Sequence, residues 1–290
     1  MKDLSIVIVN YNNAKLLETC LRSIGKFSQK LTLEIIVSDN GSSDGSQKML
    51  KDKFPEVILI ENNANLGFIK ATNNGLKIAS SRYIILLNDD TELKNNALEI
   101  LVDFMDKNPE AGACGPKLLN TDGTPQRQGS IFGKPFWKSD EAIPVDFVIG
   151  GALLLRKEVF QQIGLMDENL FFYNDDIDWC KSIRKAGWKI YFVPQAQIMH
   201  YGGYSSKRVF NPRLFIEGFR GGLYFCRKHY NMVAYLAYRL LLLILLPLPI
   251  LVFALLLPFN IKVNSQKFLA YLKIFEIALL NQVPKLERKK

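Results

Sequence analysis

The chain has 290 residues, long enough for one large domain or two small ones, and an ordinary hydrophobic fraction of 48%. The cysteines are too widely spaced for a zinc site or a disulfide framework, because none forms a CxxC pair. They are Cys20, Cys114, Cys180 and Cys226. The first apolar stretch, Leu4–Val9, is too short for a secretory signal, so we expect this part of the protein to stay in the cytoplasm.

The net charge of +9 conceals an uneven distribution along the chain. Residues 1–180 carry 19 basic and 25 acidic side chains, a net charge of −6. Residues 181–290 carry 18 basic and three acidic ones, a net charge of +15. Such asymmetry indicates a nucleic-acid or anionic-membrane partner for the C-terminal part. An uncharged apolar run at residues 240–259 favours the membrane over nucleic acid.

The first 110 residues alternate apolar, β-branched segments with amphipathic ones. The pattern predicts strands at Leu4–Asn10, Leu33–Ser38, Val57–Glu61 and Tyr83–Leu87. It predicts a first helix with a C-cap at Gly25, and further helices over Ser43–Lys53, Phe68–Ala79 and Leu93–Lys107. The apolar positions of the first helix are Leu16, Leu17, Cys20, Leu21 and Ile24. Alternation at this spacing is typical of an α/β fold, a Rossmann-like, mostly parallel sheet with helices on both faces.

Each predicted strand in this region has an asparagine or aspartate at its end or directly after it. One such end is ordinary turn chemistry, but four at the carboxyl edge of one sheet indicate a polar ligand crevice. The sequence Asn88-Asp89-Asp90 offers the hard oxygen ligands that suit Mg²⁺ or Mn²⁺ holding a phosphate. On this stretch alone, a solvated turn capping the helix near Leu93 is an equally good interpretation.

Residues 111–155 change character. Short strands are predicted around an Asp122-Gly123 turn, followed by a loop and then a buried strand. The strands are Ala111–Pro116, Lys117–Asn120, Gln126–Phe132 and, after the loop Gly133–Val145, Phe147–Leu155. The last contains Gly150-Gly151, a pair that allows close approach of a ligand or another backbone.

Three acids, Asp175, Asp176 and Asp178, open a helix predicted over Asp175–Ala186. Acids in a first helical turn interact favourably with the helix dipole, which is the structural explanation. Three acids beside an aromatic run exceed what a cap requires, so a raised carboxylate pKa and a general-base role are plausible. After a last strand, Trp188–Val193, comes His200, which could be structural or belong to a loop that folds onto a ligand.

The C-terminal tail, residues 209–290, combines a basic helix with the apolar run. The helix, Pro212–Tyr230, carries an aromatic stripe and fits equally a membrane-surface helix or one packed on the domain. Residues 240–259 are long enough to span a bilayer but contain three prolines. Positive charge on both flanks favours a kinked re-entrant hairpin slightly over a single span, with a soluble core helix as the third choice.

Six motifs in order resemble family-2 glycosyltransferases of the GT-A fold, and among them the rhamnosyltransferase-like branch of bacterial surface polysaccharide synthesis. They are Val7–Asn12, Val37–Gly45, Asn65–Phe68 with Asn73 and Gly75, Leu86–Thr91, Gly150-Gly151 and Phe171–Cys180. The resemblance implies a catalytic domain at 1–208, with a nucleotide-sugar half at about 1–110 and an acceptor half at about 111–208. The tail lies outside it as a C-terminal helical, membrane-associated segment.

The resemblance also implies where a nucleotide-diphosphate sugar binds. Asp39 matches the acid that contacts the base or ribose, and Asn10 and Tyr11 line the same pocket. The remaining nucleotide-sugar positions implied in this way are Asn65, Gly67, Asn73, Asn88 and Asp89.

Catalysis is assigned by the same resemblance. Asp90 matches the metal-binding acid for Mg²⁺ or Mn²⁺, with His200 as a further ligand, and Asp176 matches the catalytic base. Asp175 and Trp179 fall at acceptor-binding positions. The chain departs from the family pattern at Asn88 and Asp175, where aspartate and glutamate respectively are more usual.

The activity implied is inverting, metal-dependent transfer of a sugar, with dTDP-rhamnose favoured and UDP-hexoses close behind. The expected acceptor is lipid-linked or a growing saccharide at the cytoplasmic face of the membrane, where an anionic surface would meet the basic tail. The sequence alone is consistent with peripheral, re-entrant or single-pass attachment to the membrane. No nucleic-acid partner is expected, and the oligomeric state is not predicted.

Two alternatives stay open. A sugar-phosphate nucleotidyltransferase would have a glycine- and arginine-rich loop after the first strand, where this chain has Asn10–Asn13. A membrane-docked nucleotide-sugar-binding scaffold that has lost catalysis would be consistent with the departures at Asn88 and Asp175.

Overall fold

The computed structural model describes residues 2–128, 135–171, 174–202 and 210–284. It divides into two compact units. The first comprises Met1–Asp167 with Asp176–Tyr204, and the second comprises Glu168–Asp175 with Ser205–Lys290.

The first unit is built on a mixed sheet flanked by helices. Its described strands are β1 (Leu4–Asn10), β2 (Leu33–Asp39), β3 (Ile58–Glu61), β4 (Tyr83–Leu87), β5 (Thr91–Leu93), β6 (Ala111–Leu119), β7 (Ile143–Val145), β8 (Ala152–Arg156) and β9 (Lys189–His200). Its helices are α1 (Ala14–Phe27), α2 (Ser46–Lys53), α3 (Phe68–Ile78), α4 (Ala97–Lys107) and α5 (Lys157–Ile163). The next helix, α6 (Asp175–Lys185), has its first residue in the second unit.

The strands run in the order β3-β2-β1-β4-β8-β6-β9-β5, with β7 paired to β9. Strands β1 to β4 are parallel to one another, as are β6 and β9, whereas β8 is antiparallel to both β4 and β6. The mostly parallel sheet is confirmed. In the register of this sheet Asn10 lies beside Asp39, so the polar ends of β1 and β2 meet at one edge.

The predicted elements are wrong in detail where tertiary pairing overrides local pattern. Strand β5 replaces the expected start of a helix at Leu93, because Thr91–Leu93 pairs antiparallel with the end of β9. Strand β9 continues to His200 rather than ending at Val193, because a bulge in its pairing with β6 accommodates Pro194.

Other boundaries shift by a few residues. Helix α1 runs past Gly25 to Phe27, so that glycine is not its C-cap. Residues 111–119 form one strand instead of two, and the strand predicted from Phe147 begins at Ala152. Of the strand predicted over 126–132, residues 126–128 are not in a strand, and 129–132 lie outside the described residues, as do 133–134 of the following loop.

The core of the first unit lies between the sheet and its helices. Every residue of β4 is buried, and the inward side chains of β1 are fully buried with the apolar face of α1. Helix α3 lies so close to β1 that a Cβ added at Gly75 would be 2.5 Å from Val7 Cγ1. Glycine is therefore required there for close packing of helix on strand.

In its described residues the second unit contains the α-helices α7 (Pro212–His229), α8 (Met232–Leu245), α9 (Pro247–Leu255) and α10 (Ile261–Leu280). Helix α7 binds the short segment Glu168–Asp175, since Asn169 Nδ2 donates to Tyr224 Oη at 3.3 Å and Asn174 Nδ2 donates to the Gly218 carbonyl at 3.0 Å. The α7 helix thus packs within this unit.

Helices α8, α9 and α10 form a kinked hairpin. The Arg239 guanidinium donates to the last carbonyls of α10, at Ala278 and, at 2.7 Å, Leu279. Tyr235 Oη donates to Asn281 Oδ1 just beyond it. The end of α10 therefore returns to the first half of α8.

The hairpin exposes much apolar surface. The continuous helical stretch Met232–Leu255, which joins α8 to α9, is among the described residues the one that is long and apolar enough to cross a membrane. Only 11% of its most apolar part is buried. Phe259, at the turn into α10, is 83% exposed. Exposure on this scale argues against a soluble core helix and is typical of a membrane-associated segment.

Two helical glycines should respond oppositely to alanine. We expect Gly75→Ala to lower the free energy of unfolding by about 1–3 kcal/mol, because the added methyl overlaps Val7. Gly25→Ala should raise it by about 0.5–1 kcal/mol, because nothing lies within 4 Å and alanine favours the helix. Urea unfolding of the detergent-solubilised protein measures both, and equal effects at the two sites would contradict the packing of α3 on β1.

Candidate active site

The carboxyl ends of β1 and β2 carry a buried polar cluster. Asp39 accepts hydrogen bonds from Asn10 Nδ2 at 2.7 Å, Gln47 Nε2 at 2.7 Å and the Ser42 amide at 3.0 Å. Burial alone would raise the pKa of Asp39, but the hydrogen bonds from Gln47, Ser42 and Asn10 outweigh it and hold that pKa below its ordinary value. The carboxylate thereby fixes the loop that follows β2.

Asn10 retains one free acceptor in this cluster. Its side chain is fully buried, and its Oδ1 atom has no hydrogen-bond partner among the described residues. A buried polar atom without a partner is rare in native proteins and indicates a place for a ligand or water donor. Tyr11, the next residue, is 48% exposed, so the cluster borders solvent.

Three other sequence-predicted residues are engaged by the protein itself. Asn65 Oδ1 accepts from Asn40 Nδ2 at 3.2 Å and from the Gly67 amide at 3.0 Å, and Gly67 has a φ of 87° that suits glycine. Asn73 is fully buried and pairs with both main-chain groups of Met166, at 2.9 and 3.0 Å. These contacts shape the loops around the cluster; direct contact with a nucleotide sugar stays a prediction.

Strand β4 leads into Asn88-Asp89-Asp90 at the same edge of the sheet. The interpretation of these acids as a helix cap is wrong, because β5 follows directly and α4 begins only at Ala97. The Asn88 amide donates to the Gly151 carbonyl at 3.1 Å, and Asp90 is 7% exposed. Two carboxylates are thus held in a largely buried turn.

His200 meets this turn from β9. Its Nε2 lies 3.2 Å from Asp90 Oδ1 and 3.3 Å from Asn88 Nδ2, while its Nδ1 lies 2.7 Å from Gln126 Oε1. Burial, followed by the charge of Asp90, raises the pKa of Asp89 to about 7. Negative charge in a buried site of this kind is stabilised by a cation.

The residues present fit a divalent cation. Two cis ligands about 2.1 Å from a Mg²⁺ ion lie about 3 Å apart, close to the separation of Asp90 Oδ1 and His200 Nε2. Within the described ranges, no group of three or more histidine, cysteine, aspartate or glutamate side chains could hold a metal ion. Mg²⁺ commonly has only one or two protein carboxylates and completes its shell with water and substrate phosphates, so a smaller protein donor set is sufficient.

Asp176 lies beside the metal-candidate residues. Its Oδ2 accepts from the Gly150 amide at 3.2 Å and its Oδ1 from the Ile177 amide at 2.8 Å. Burial raises the pKa of Asp176 in spite of these two donors. Gly150 therefore holds the candidate base, while its neighbour Gly151 bonds the main chain of Asn88. Gly151 also lies close to the His200 ring, since a Cβ added at Gly151 would be 3.6 Å from His200 Cε1.

The two expected acceptor residues lie in different surroundings. Trp179 is 2% exposed, and its indole nitrogen donates to the Gly164 carbonyl at 3.3 Å, so an acceptor could reach the ring only after its neighbours moved. Asp175 belongs to the second unit, one peptide bond before Asp176 in the first.

Sequence reasoning missed two glutamines of this site. Gln47, on α2, bonds Asp39 from eight residues along the chain, and Gln126 bonds His200 across a separation of 74 residues. Neither lies in a recognisable motif, and glutamine is common on surfaces, so only the folded chain brings them to notice.

Residues 5–164 match the family model described as Glycosyl transferase family 2. The chain belongs to glycosyl transferase family 2. Among curated family-2 relatives, the N-acetylglucosaminyl-diphospho-decaprenol L-rhamnosyltransferase of Mycobacterium tuberculosis is 28% identical over 240 residues, covering 71% of this chain and 78% of its own. The dTDP-rhamnosyl transferase RfbF of Shigella flexneri is 26% identical, covering 60% and 62%. These relatives support the rhamnosyltransferase-like branch.

Solved structures share the fold of this family-2 chain. The mannosyltransferase PcManGT of Pyrobaculum calidifontis, in complex with GDP-Man and Mn²⁺, has a TM-score of 0.60 at 15% identity and covers 96% of this chain and 87% of its own. GalNAc-T7 with UDP, GalNAc and Mn²⁺ has a TM-score of 0.61 at 20% identity, covering 78% of this chain. This chain spans about half of the GalNAc-T7 chain, 48%.

We expect Asp39→Asn to lower the free energy of unfolding by about 1–3 kcal/mol at pH 7, because one of three buried donors would then face an amide NH₂ group. The difference from wild type should shrink as the pH falls below about 3.9, since protonation removes the same carboxylate whose native pKa is lowered. Urea unfolding at pH 7 and pH 3 measures it. Asp52→Asn, on α2, is the control and should change stability by no more than about 0.5 kcal/mol.

Proposed function

We propose that this family-2 protein is an inverting, metal-dependent glycosyltransferase that moves a sugar, with dTDP-rhamnose favoured, from a nucleotide-diphosphate donor to a lipid-linked or growing saccharide. The supporting observation is the Gly150-Gly151 pair, because Gly150 binds the Asp176 carboxylate while Gly151 bonds Asn88 beside Asp90 and His200. A base and a cation site therefore lie on either side of two consecutive residues.

The base is Asp176. Its two oxygens each accept one main-chain hydrogen bond, which orients the carboxylate without neutralising it. Burial raises its pKa, which makes it a stronger base than an exposed aspartate. Asp176 takes the proton of the acceptor hydroxyl as that oxygen attacks the anomeric carbon. A single displacement inverts the configuration at that carbon and requires no carboxylate nucleophile.

Asp90 and His200 would hold Mg²⁺ or Mn²⁺ together with the diphosphate. When bound, the cation neutralises the negative charge that develops on the leaving nucleoside diphosphate. The side-chain amide of Asn88 lies beside His200, and the main chain of Asn88 is bonded to Gly151. The positions of the Asn88 and His200 side chains are therefore set before substrate arrives. The buried turn also keeps water away from the charges, which strengthens their effect.

The nucleotide would bind at the ends of β1 and β2. The unpartnered Asn10 Oδ1 is an acceptor for a donor group of the base, such as the imide N–H of thymine or uracil. Asp39 holds Asn10 in place through a 2.7 Å hydrogen bond, and the exposed Tyr11 ring offers a surface to the base. The preference for a dTDP-sugar rests on the relative named as a dTDP-rhamnosyl transferase.

The acceptor class follows from two relatives and from the second unit. The Mycobacterium tuberculosis relative is named for a diphospho-decaprenol substrate, and a Campylobacter jejuni relative, 33% identical over 153 residues, is named for a PP-undecaprenol substrate. The exposed hairpin of α8, α9 and α10 suits attachment to the cytoplasmic face of the membrane, where such lipids would be presented.

A donor panel tests the proposal. The purified protein, with Mg²⁺ or Mn²⁺ and a lipid extract as acceptor, is incubated with dTDP-rhamnose, UDP-hexoses and GDP-mannose. Release of nucleoside diphosphate with sugar in the lipid fraction supports it. Release of pyrophosphate would instead indicate a nucleotidyltransferase, and donor binding without turnover on any acceptor would indicate a scaffold.

Asp176→Asn should lower kcat by about 10²–10⁴-fold while the donor Kd changes by less than about threefold, because only proton abstraction is lost. Isothermal titration with the donor and a radiolabelled transfer assay measure the two quantities. The wild-type kcat/KM should fall as the pH drops through a pKa above the ordinary aspartate value of about 3.9. Transfer retained in the variant, or an acid limb at or below that value, would rule out Asp176 as the base.

Ile244→Asp combined with Leu248→Asp should release the protein from anionic vesicles. The two side chains are 65% and 68% exposed, so the substitutions leave the fold intact but remove apolar area from the lipid contact. Each should weaken partitioning at least about tenfold, because burial of one such side chain stabilises by about 1.5–3 kcal/mol. Vesicle sedimentation measures this, with Ile58→Asp on β3, 42% exposed, as the control. Unchanged sedimentation of the double variant would place the membrane contact elsewhere.

A further inference from the structure

The two ring nitrogens of His200 have different neighbours. Nδ1 lies 2.7 Å from Gln126 Oε1, whereas Nε2 faces Asp90 Oδ1 at 3.2 Å and Asn88 Nδ2 at 3.3 Å. A neutral imidazole carries one proton, on either nitrogen. The position of that proton decides whether Nε2 presents a lone pair to a cation or a hydrogen.

A chain of hydrogen bonds beginning at Asp122 sets the direction of donation. The Asp122 carboxylate only accepts, so the Thr124 hydroxyl, 2.6 Å away, must donate to it. The Thr124 oxygen is then the acceptor for Asn120 Nδ2 at 3.0 Å. This bond orients the Asn120 amide with its NH₂ group toward Thr124 and leaves Asn120 Oδ1 as an acceptor.

The same direction continues to the histidine. Gln126 Nε2 donates to Asn120 Oδ1 at 3.4 Å, so the oxygen of the Gln126 amide is the atom that faces the ring. An amide oxygen can only accept, and therefore His200 Nδ1 must donate. A neutral ring that donates from Nδ1 has its lone pair on Nε2, and the Asn88 amide nitrogen beside Nε2 is a suitable donor to it.

The glutamine is held where this contact requires it. The main-chain N–H of Gln126 donates to the Leu118 carbonyl at 2.7 Å. The turn between these two residues is closed by the main-chain N–H of Gly123, which donates to the Asn120 carbonyl at 2.9 Å. Gly123 has a φ of 81°, a conformation that favours glycine. The turn therefore has a backbone reason for its shape that is independent of the histidine.

We propose that Gln126 is a positioning residue that holds the His200 ring as the Nδ1–H tautomer, so that Nε2 is a ready ligand for a divalent cation shared with Asp90. The inference rests on the cation of the proposed function. Partners that bond the far nitrogen of a metal-binding histidine fix its orientation and raise its basicity, and their loss commonly weakens metal binding about 10- to 100-fold.

Nuclear magnetic resonance of the full chain with ¹⁵N-labelled histidine tests the tautomer directly. The protein has two histidines, so a His229→Gln variant assigns the signals. At a pH where the ring is neutral, we expect His200 to carry its proton on Nδ1. In Gln126→Leu the proton should move largely to Nε2. A wild-type ring that carries its proton on Nε2 would overturn the proposal, even if no Gln126 variant could be purified.

Binding of Mn²⁺ alone, followed by electron paramagnetic resonance of the free ion, tests the consequence. We expect Gln126→Leu to raise the Kd about 10- to 100-fold and Gln126→Glu, which keeps an acceptor, to restore both the tautomer and most of the affinity. Gln128→Leu is the matched control, because Gln128 Nε2 bonds the Pro116 carbonyl and not the His200 ring. The Mn²⁺ Kd of this variant should equal that of wild type.

The Kd outcomes separate this inference from the proposed function. An unchanged Mn²⁺ Kd in Gln126→Leu, or no rescue by Gln126→Glu, would overturn the role of Gln126. Absence of sugar transfer with every donor would refute the proposed activity and leave the tautomer and Mn²⁺ measurements interpretable by themselves.

Discussion

The 3.2 Å approach of Asp90 Oδ1 to His200 Nε2 is the constraint around which the first unit is arranged. Asp90 follows β4, and His200 ends β9, two strands that are not neighbours in the sheet. The short strand β5 brings them together, because its first residue follows Asp90 directly and pairs with His200. Asp90 is 7% exposed and has lost most of its hydration, and a lone pair on Nε2 cannot donate to it, so a cation between the two atoms would stabilise the carboxylate.

The glycine pair before β8, Gly150-Gly151, connects this arrangement to Asp176. One main-chain segment bonds Asp176 on one side through Gly150 and Asn88 on the other through Gly151. A side chain at Gly151 would approach Leu118 to 3.3 Å as well as the His200 ring. The separation between the proposed base and the proposed cation site is thus set by backbone geometry rather than by flexible side chains, which would suit a displacement that tolerates little misplacement.

The sequence was sufficient for features that depend on local pattern. The strands β1, β2 and β4, with their polar ends, follow from short β-branched runs bounded by asparagine and aspartate, and parallel pairing then brings Asn10 beside Asp39. Strand β5 and the second half of β9 could not be found in this way. Thr91–Leu93 is too short for a pattern, and Pro194 interrupts β9 where only the pairing with β6 and its bulge can accommodate it.

Side-chain roles were harder to predict than positions, because a motif gives the residue but not its partners. Asn73 lies in a motif of the resemblance, yet its amide bonds Met166, and the aromatic Trp179 is buried rather than presented. Gln126 lies in no motif at all, and its contact with His200 joins positions 74 residues apart. Such contacts arise only when a turn on one strand end meets a ring on another.

The boundary between the two units falls within the acidic helix start, between Asp175 and Asp176. The segment before this boundary is bound to α7 through Asn169 and Asn174, whereas Asp176 is bound to Gly150. The candidate base is therefore joined covalently to a segment that packs with the exposed apolar hairpin.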